Sequence, residues 1–297
     1  MQLARRNVVV NYHSPWNKPQ LTVEPGEVFA AETELCTGDW LHSPDDEFTP
    51  DKTAGCNPTV VIAVRGAQPG DALRVHVLDI KPEPQGYTGF WRDATLPYEI
   101  IDYPWENNLR TVRIEDGHVL FNDKLRLPVR PMIGTLGTAP AEGSIYNSYG
   151  GVHGGNMDVQ EVAIGAAITL PVAVEGALLH IGDVHAMQGD GEICGSGGIE
   201  CASVVTLKVE VIARPRGMKA VRIEDDTHIA AVSCEPTLDA SFNRATEEML
   251  KWMTFEYGFT MEEAYLLCAQ LMEVRITQMV NPTRSVIAKM PKAYLIR

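Results

Sequence analysis

The sequence lacks the features that mark membrane, secreted and nucleic-acid-binding proteins. Its 297 residues contain no run of roughly 18 consecutive apolar residues, the length that spans a bilayer. The N-terminal segment has neither the apolar core nor the cleavage site of a secretory signal. Its 25 Lys and Arg residues form no basic stripe. We therefore expect no membrane contact and no nucleic-acid partner.

Motifs of nucleotide binding and of nucleophilic enzymes are also missing. Gly189 begins a G-x-G, but no third glycine follows at the required spacing and no helical pattern comes after it. No Walker A motif occurs, and Ser196 lacks the surroundings of a nucleophile elbow. Cys194 has no lysine nearby, and most isolated cysteines are inert core residues, so a thiol nucleophile is not favoured.

Cysteine usage and charge indicate the compartment and the kind of ligand. The six cysteines are widely spread and contain no C-x-x-C pair, which is typical of reduced thiols in a cytoplasmic protein. The formal net charge is −14, from 39 mostly scattered Asp and Glu residues against 25 basic ones. Most of this charge is explained by a solvated surface, and the remainder favours a neutral or cationic small substrate.

Apolar patterning predicts a mainly β protein with a helical, α+β C-terminal part. A β-branched run at 60–64 and an alternating run at 73–80 flank a Pro-Gly turn and read as a strand pair. Such alternation favours antiparallel sheets, in a sandwich or barrel body over 1–214 that carries the active site. After residue 214 helical spacing appears, so 215–297 is expected to form an α+β part packed on the body.

Two helices are predicted in the C-terminal part. The first covers 238–257 and has Gly258 as the residue that follows its C-cap. The second begins at a capping box, in which Thr260 and Glu263 satisfy each other's backbone N–H groups. Its apolar spacing predicts that it continues to about Met279.

Residues 182–192 hold the densest group of polar side chains among glycines. Asp183 and His185 are two residues apart on an expected strand end, so their side chains point the same way, as in half of a metal site. Gln188 and Glu192 follow as hydrogen-bonding or acid–base groups, and Gly189 permits close approach of the backbone to a ligand. The alternative interpretation is a solvated Gly/Asp turn.

A second polar, glycine-rich block at 153–158 can complete the site. If the two blocks meet across a sheet, Asn156 and Asp158 join Asp183 and His185 around one cation. Three oxygen donors and one imidazole suit zinc, or a harder ion such as calcium or manganese. His153 precedes this pair and can contact a ligand, although an ordinary loop histidine is the alternative.

Further carboxylates offer a general base. Glu32 and Glu34 lie two apart on an expected strand, and burial of one of them would raise its pKa toward neutrality. An exposed strand face is the alternative. Glu200, beyond a glycine-rich segment at 195–198, is a similar candidate.

The chain resembles the acetamidase/formamidase family over nearly its whole length. The most specific stretch is Gly-Asp-Val-His-Ala-Met-Gln-Gly-Asp-Gly-Glu at 182–192. The other matching segments are 30–36, 66–73, 134–140, 154–158, 170–172, 279–281 and 290–292. The loops at 146–153 and 195–198 depart from the family pattern, and we expect them to border the pocket and influence the choice of amide.

The resemblance implies hydrolysis of a short linear amide, of the formamide or acetamide class, to a carboxylic acid and ammonia. It implies assistance by a divalent metal, with zinc foremost and calcium or manganese as alternatives. In this scheme Glu34 carries the water proton, with Glu192 as a further acid–base group. Gln188 and backbone amides near Gly189 bind the oxyanion.

Substrate contacts and assembly complete this set of expectations. We expect His153, Gly189 and Glu200 to contact the substrate, and we expect a homo-oligomer, most simply a dimer. The competing functions are a small-amide or metal-binding protein without catalysis and, less favoured because its histidine spacing is wrong, a cupin-like metal oxygenase.

Overall fold

The computed structural model describes residues 1–53, 55–91, 101–104 and 106–296. It is a mostly antiparallel β protein, with 43% strand and 12% helix, and neither sheet closes into a barrel within these ranges. This confirms the expected class, with a sandwich rather than a barrel as its body.

Twenty-two strands run through the described ranges. In chain order they are β1 (Gln2–Ala4), β2 (Tyr12–His13), β3 (Leu21–Val23), β4 (Val28–Thr33), β5 (Thr59–Val64), β6 (Asp71–Pro82), β7 (Gln85–Phe90), β8 (Asn108–Glu115), β9 (His118–Leu120), β10 (Arg126–Pro128), β11 (Met132–Thr138), β12 (Ile145–Tyr146), β13 (Gly150–Gly151), β14 (Gly154–Asn156), β15 (Ala167–Pro171), β16 (Leu179–His185), β17 (Ser196–Glu200), β18 (Ser203–Ala213), β19 (Val221–Glu224), β20 (His228–Glu235), β21 (Glu273–Gln278) and β22 (Arg284–Pro291).

Two large sheets form the sandwich. The first has the order β1-β4-β18-β6-β15-β19-β20-β22-β21, and the second β10-β9-β8-β7-β17-β16-β11-β14-β13, with β5 also paired to β16 and β3 to β5. All their pairings are antiparallel except β1 with β4 and β3 with β5. Buried side chains from both sheets, such as Phe29 and Leu207 from the first and Leu136 and Ile181 from the second, share one hydrophobic core.

The two strands predicted around the Pro-Gly turn exist, but they do not pair with each other. β5 pairs with β16 and β3 in the second sheet, whereas β6 pairs with β18 and β15 in the first. The turn between them therefore crosses from one sheet to the other. Strand pairing depends on partners distant in sequence, so the expected hairpin was wrong although both strands were placed correctly.

Among the described residues, two α-helices pack on the part of the first sheet that β20 and β22 form. α1 (Leu238–Glu256) buries Ala245, Met249, Trp252 and Met253, which lie on one face at helical spacing, whereas Phe242 is 42% exposed. Gly258 follows its C-cap with φ of 75°, in the left-handed region that glycine favours. Short 3-10 turns lie at Pro50–Lys52 and Lys292–Tyr294. Neither α-helix combines the length and apolar character needed to cross a bilayer.

The second helix is shorter than its spacing predicted. α2 (Met261–Leu271) begins at the expected capping box, but Met272 is already extended, with φ of −70° and ψ of 124°. Residues 273–278 instead form β21, whose Val274 and Ile276 pair with β22. Alternation of β-branched residues and an available sheet edge outweigh the helical spacing here.

The C-terminal strands extend the first sheet of the body. β19 pairs with β15, so strands from before and after residue 214 lie in one continuous sheet. The division into 1–214 and 215–297 stays a prediction, with this shared sheet as its structural setting.

Candidate active site

The two polar, glycine-rich blocks meet at strand β11 of the second sheet. On one side β11 pairs with β16, which carries Asp183 and His185. On its other side it pairs with β14, so that Thr135 stands opposite Asn156. Asp158 lies two residues after the end of β14. One short strand thus brings the ends of both blocks together, which was the condition for the site expected from the sequence.

Gly134 on β11 makes room for two carboxylates. A Cβ at this position would overlap Asp158 Oδ1 and lie 2.6 Å from Asp183 Oδ2. Both aspartates adopt positive φ, 49° for Asp158 and 58° for Asp183, which is strained for residues other than glycine. The backbone therefore holds the two carboxylates together over the space that a side chain would otherwise fill.

Asparagine and threonine side chains orient these carboxylates. Asp183 Oδ2 accepts hydrogen bonds from Asn57 Nδ2 at 3.0 Å and from Thr135 Oγ1 at 3.2 Å. Asp158 Oδ2 accepts from Asn281 Nδ2 at 2.6 Å. The hydrogen bonds around Asn156 orient its amide with Nδ2 donating to Asp183 and Oδ1 accepting from Asn281, each at 2.8 Å. The donors fix one oxygen of each aspartate.

His185 is held through one ring nitrogen, and the other faces two carboxylates. Its Nδ1 lies 2.7 Å from Gln188 Oε1, which can only accept, so Nδ1 carries a proton. Its Nε2 lies 3.2 Å from Glu200 Oε1 and 3.5 Å from Asp183 Oδ1. Burial lowers the pKa of His185, but the adjacent Glu200 and Asp183 carboxylates outweigh it and raise that pKa well above 6.5.

Four buried carboxylates surround this histidine. Burial and the charge of Asp183 raise the pKa of Asp158 to about 7. Burial, followed by the charge of Asp158, raises the pKa of Glu192 well above 4.5, and burial with Glu200 raises that of Asp183. Glu200 completes the set at 2% exposure. So many carboxylates in so little water require protons or a cation among them.

Two groups of side chains bring donor atoms close enough to share an ion. Asp158, His185 and Glu192 form one group, and Cys36, Asp183 and Glu200 form the other, with the donor atoms of each within 4.8 Å of one another. His185 Nε2, Glu192 Oε2 and Glu200 Oε2 are buried without a hydrogen-bond partner. Unpaired buried donors of this kind are what a metal ion would satisfy.

A cavity of about 470 Å³ opens onto these groups. Its buried end is lined by the polar side chains Asn156, Asp158, Asp183, Glu192, Glu200 and Asn281. Cys36 lies at this end beside Asp183 and Glu200, and the half-buried Phe48, Cys56, Trp91 and Tyr146 line the walls toward solvent. A deep apolar-walled cleft that ends in convergent acid–base groups is the usual form of an enzyme site.

The glycine-rich segment at 195–198 also forms part of this cavity. A Cβ on Gly197 would overlap the carboxylate of Glu192, and Gly195 lines the cavity wall. β17 then presents Glu200 directly opposite His185. The departure from the family pattern at this segment thus lies at the cavity, as expected, and Tyr146 from the other departing loop does too.

Three sequence-predicted residues lie away from the cavity or are already occupied. Glu34 is buried with its Oε2 at 3.5 Å from Arg6 Nε, and it does not line the cavity. His153 packs against His13, with ring centroids 4.9 Å apart, under the N-terminal segment. Gln188 gives both amide hydrogens to carbonyls, those of Asp158 and Thr277 at 3.1 Å each, so neither is available to an oxyanion.

Two further predicted residues, Gly189 and Glu32, lie outside the cavity lining, and three residues that orient the carboxylates were not predicted. Gly189 is a loop glycine beside open space and is absent from the cavity lining. Glu32 pairs with Arg5 at 3.3 Å near the surface. Asn57, Thr135 and Asn281 were missed, although Thr135 and Asn281 lie in family-like segments, 134–140 and 279–281, that could have pointed to them.

Buried carboxylates and a held imidazole at the end of a solvent-open cavity are typical of hydrolytic enzymes. The acetamidase/formamidase family model matches residues 3–149 and 147–295. The chain belongs to the acetamidase/formamidase family, and this membership confirms the expected class of enzyme, an amide hydrolase.

Named relatives and solved structures agree with this membership. The acetamidase of Mycolicibacterium smegmatis is 26% identical, over 88% of this chain and 86% of that protein. A crystal structure of an acetamidase from Bacillus halodurans has a TM-score of 0.89 and 31% identity, covering 98% of both chains. An acetamidase from Yersinia enterocolitica has a TM-score of 0.89 and 28% identity, covering 99% of this chain and 93% of that one.

Proposed function

We propose that this chain hydrolyses short primary amides to a carboxylic acid and ammonia in the cavity between the two blocks, with Glu200 carrying the proton. The single observation that carries this assignment is the position of Glu200. Its Oε1 faces His185 at 3.2 Å, its Oε2 is buried and unpartnered, and the residue lines the cavity. No basic side chain competes for that second oxygen among the described residues that line the cavity.

The donor atoms at the buried end fit a divalent cation. Asp158, His185 and Glu192 would hold it, and the unpartnered His185 Nε2 and Glu192 Oε2 support this choice. One imidazole with carboxylates suits zinc or manganese better than calcium, which prefers oxygen donors alone. When bound, such an ion polarises the amide carbonyl and lowers the pKa of coordinated water toward roughly 7.

This set refines the expected ligands. Asp183 belongs to the group with Cys36 and Glu200, and the amide of Asn156 hydrogen-bonds Asp183 and Asn281. We therefore assign Asn156 and Asn281 to orienting the carboxylates.

Glu200 is placed to move the proton during hydrolysis. Water attacks the carbonyl carbon, a C–O bond forms, and Glu200 accepts the proton that the water loses. The C–N bond then breaks as Glu200 returns this proton to the nitrogen, which leaves as ammonia. Gln188 holds His185 through Nδ1, which leaves Nε2, 3.2 Å from Glu200 Oε1, available to the cation. Glu34, paired with Arg6, takes no part.

Substitution separates this scheme from the one that uses Glu34. Glu200→Gln keeps the size of the side chain but removes the base, so we expect kcat for acetamide to fall by at least about 100-fold, the lower range for general acid–base catalysis. Glu34→Gln is expected to retain activity in the folded fraction. Ammonia release and metal content are measured for both; a fully active Glu200→Gln enzyme refutes the assignment.

The same assay distinguishes the competing functions. A binding module would retain amide and release no ammonia, and a cupin-like oxygenase would require iron and dioxygen. Cytoplasmic location and a homo-oligomeric state, most simply a dimer, stay predictions alongside the function.

A further inference from the structure

The cavity is larger than formamide or acetamide requires. Pockets of roughly 300–1,000 Å³ enclose ligands of drug size, and this cavity has about 470 Å³. Acetamide carries only a methyl group on its carbonyl, so with its amide at the carboxylates it would leave the outer cavity filled with water. The outer walls must therefore suit a larger acyl group, or serve no part in recognition.

Exposure orders the cavity from a polar floor to an aromatic mouth. Asp158, Asp183 and Glu200 are at most 2% exposed and mark the floor. Phe48 and Trp91, which also line the cavity, are half-buried. An amide that places its C–N bond at the floor directs its acyl group toward these two rings.

The aromatic wall is held in place before any ligand arrives. The Phe48 and Trp91 rings meet edge to face, with centroids 5.1 Å apart and planes at 78°. Trp40, buried at 6% exposure, supports Phe48 at 5.4 Å and donates from Nε1 to Thr37 Oγ1 at 2.9 Å. A fixed edge-to-face pair offers a further aromatic ring a favourable stacking surface without ordering cost.

Tyr146 gives the cavity another fixed aromatic side chain. Its hydroxyl accepts a hydrogen bond from the backbone N–H of Cys56 at 3.0 Å, and both residues line the cavity. Phe48 and Trp91 also line a neighbouring cavity with Asp45 and Asp46, so they form a partition between the two. The partition bounds the space available to an acyl group.

Charge restricts the acyl group further. No lysine or arginine lines the cavity in the part of the chain that the structure describes, while four carboxylates do. An acyl group that carries its own carboxylate would be buried near like charges without a partner. The four carboxylates therefore disfavour an acyl group that carries its own negative charge.

We propose that the preferred substrates are uncharged primary amides with an aromatic acyl group, of which phenylacetamide is the simplest probe. The ring lies against Phe48 and Trp91 while the amide reaches the carboxylates. This inference rests on the proposed amide hydrolysis and adds the substrate class to it.

The test compares kcat/KM for acetamide, phenylacetamide and succinamate, which carries a second carboxylate, using purified full-length protein supplied with zinc or manganese. Complete burial of a phenyl side chain is equivalent to roughly 10- to 100-fold, and the open mouth favours the lower end. We expect phenylacetamide to exceed acetamide by about tenfold in kcat/KM, and succinamate to fall below both.

Variants locate the preference. Trp91→Ala and Phe48→Ala are expected to lower kcat/KM for phenylacetamide by most of that factor and to affect acetamide much less. Trp16→Ala removes a tryptophan that is 73% exposed and outside the cavity lining, and it is expected to leave both values unchanged. Loss of both activities in parallel in Trp91→Ala would mean a structural role for the ring.

Binding and turnover separate the two levels of the proposal. Hydrolysis of acetamide equal to or better than that of phenylacetamide overturns the aromatic substrate class and leaves amide hydrolysis intact. If no amide is hydrolysed, binding measured by calorimetry decides: phenylacetamide bound more tightly than acetamide supports the aromatic site and overturns only the hydrolysis. Equal or absent binding overturns both.

Discussion

Replacement of Arg275 by methionine tests whether the loop that carries Glu192 must be held in place for catalysis. Arg275, on edge strand β21, contacts Asp190 at 3.1 Å, Glu161 at 2.7 Å and Gln160 at 3.1 Å. Next to it, the N–H of Gly191 donates to the carbonyl of Ile276 at 2.9 Å. One arginine thus joins the edge strand to the 182–192 block and to the residues that follow the 153–158 block.

The expected cost follows from the exposure of these partners. Side chains of Arg275 and Glu161 are 31% and 12% exposed, so their pair lies between a surface and a buried ion pair, whereas Asp190 is 52% exposed. Exposed pairs contribute roughly 0.2–1 kcal/mol each. Only the Asp190 pair reaches the loop directly, so its loss costs docking of the loop about 0.2–1 kcal/mol. Opening of the loop should therefore become up to about fivefold more frequent in Arg275→Met.

Hydrogen exchange and kinetics measure the two consequences. The amide of Gly191 should exchange up to about fivefold faster, whereas kcat/KM for acetamide and apparent affinity for the added metal fall only as the fraction of molecules with a closed loop falls. Arg65→Met, which removes an exposed pair with Glu24, is the matched control and should change neither. Unchanged exchange at Gly191 would refute the clamp itself, and a loss of activity without faster exchange would refute an effect through the loop.

Further predictions concern stability and the metal. Arg222→Met should destabilise the fold by about 3–5 kcal/mol in urea unfolding, since it leaves Glu248 buried and unpaired; the double variant with Glu248→Leu should recover most of this, and additive losses would contradict the pairing. Burial lowers the pKa of His153 and of His180 to about 4, so the unfolded chain takes up their protons first. The contribution of each histidine to stability should be full above pH 6.5 and be lost toward pH 4 by about 3 kcal/mol. The raised pKa values of Asp158, Asp183 and Glu192 act in the opposite direction, so urea unfolding is compared with that of His153→Asn at each pH, and a difference that does not change with pH would refute this. Gly134→Ala should abolish activity by displacing the aspartates, with ammonia release and circular dichroism separating loss of activity from unfolding. Dialysis against a chelator should remove activity that zinc or manganese restores, and full activity without metal would refute the cation site.

The sequence predicts the carboxylates and the histidine at the buried end of the cavity better than it predicts which side chains are already held by other contacts. Asp183 and His185 were paired by their spacing, and the segment before them read as a strand, so their convergence with Asp158 depended only on two strands sharing a neighbour. Glu34 is left out of the proposed mechanism because it pairs with Arg6, and this pairing forms only in the folded chain. The role of Gln188 likewise depends on the carbonyl of Thr277, 89 residues away. Spacing cannot reveal a side chain whose hydrogen bonds are already taken by distant backbone.

The glycines of the site are explained by its carboxylates more than by its ligand. Their abundance first suggests a backbone that turns sharply and approaches a small molecule. At Gly134 and Gly197, however, the space of the missing side chain is filled by Asp158 with Asp183 and by Glu192, respectively. Gly189, the glycine expected to approach the substrate, borders open space instead. Packing of acidic side chains directly onto the backbone excludes water and leaves donor atoms without hydrogen bonds, and that combination raises the pKa of these groups and favours a cation. The same glycines that make the site possible therefore make it dependent on an ion or a proton to stay neutral.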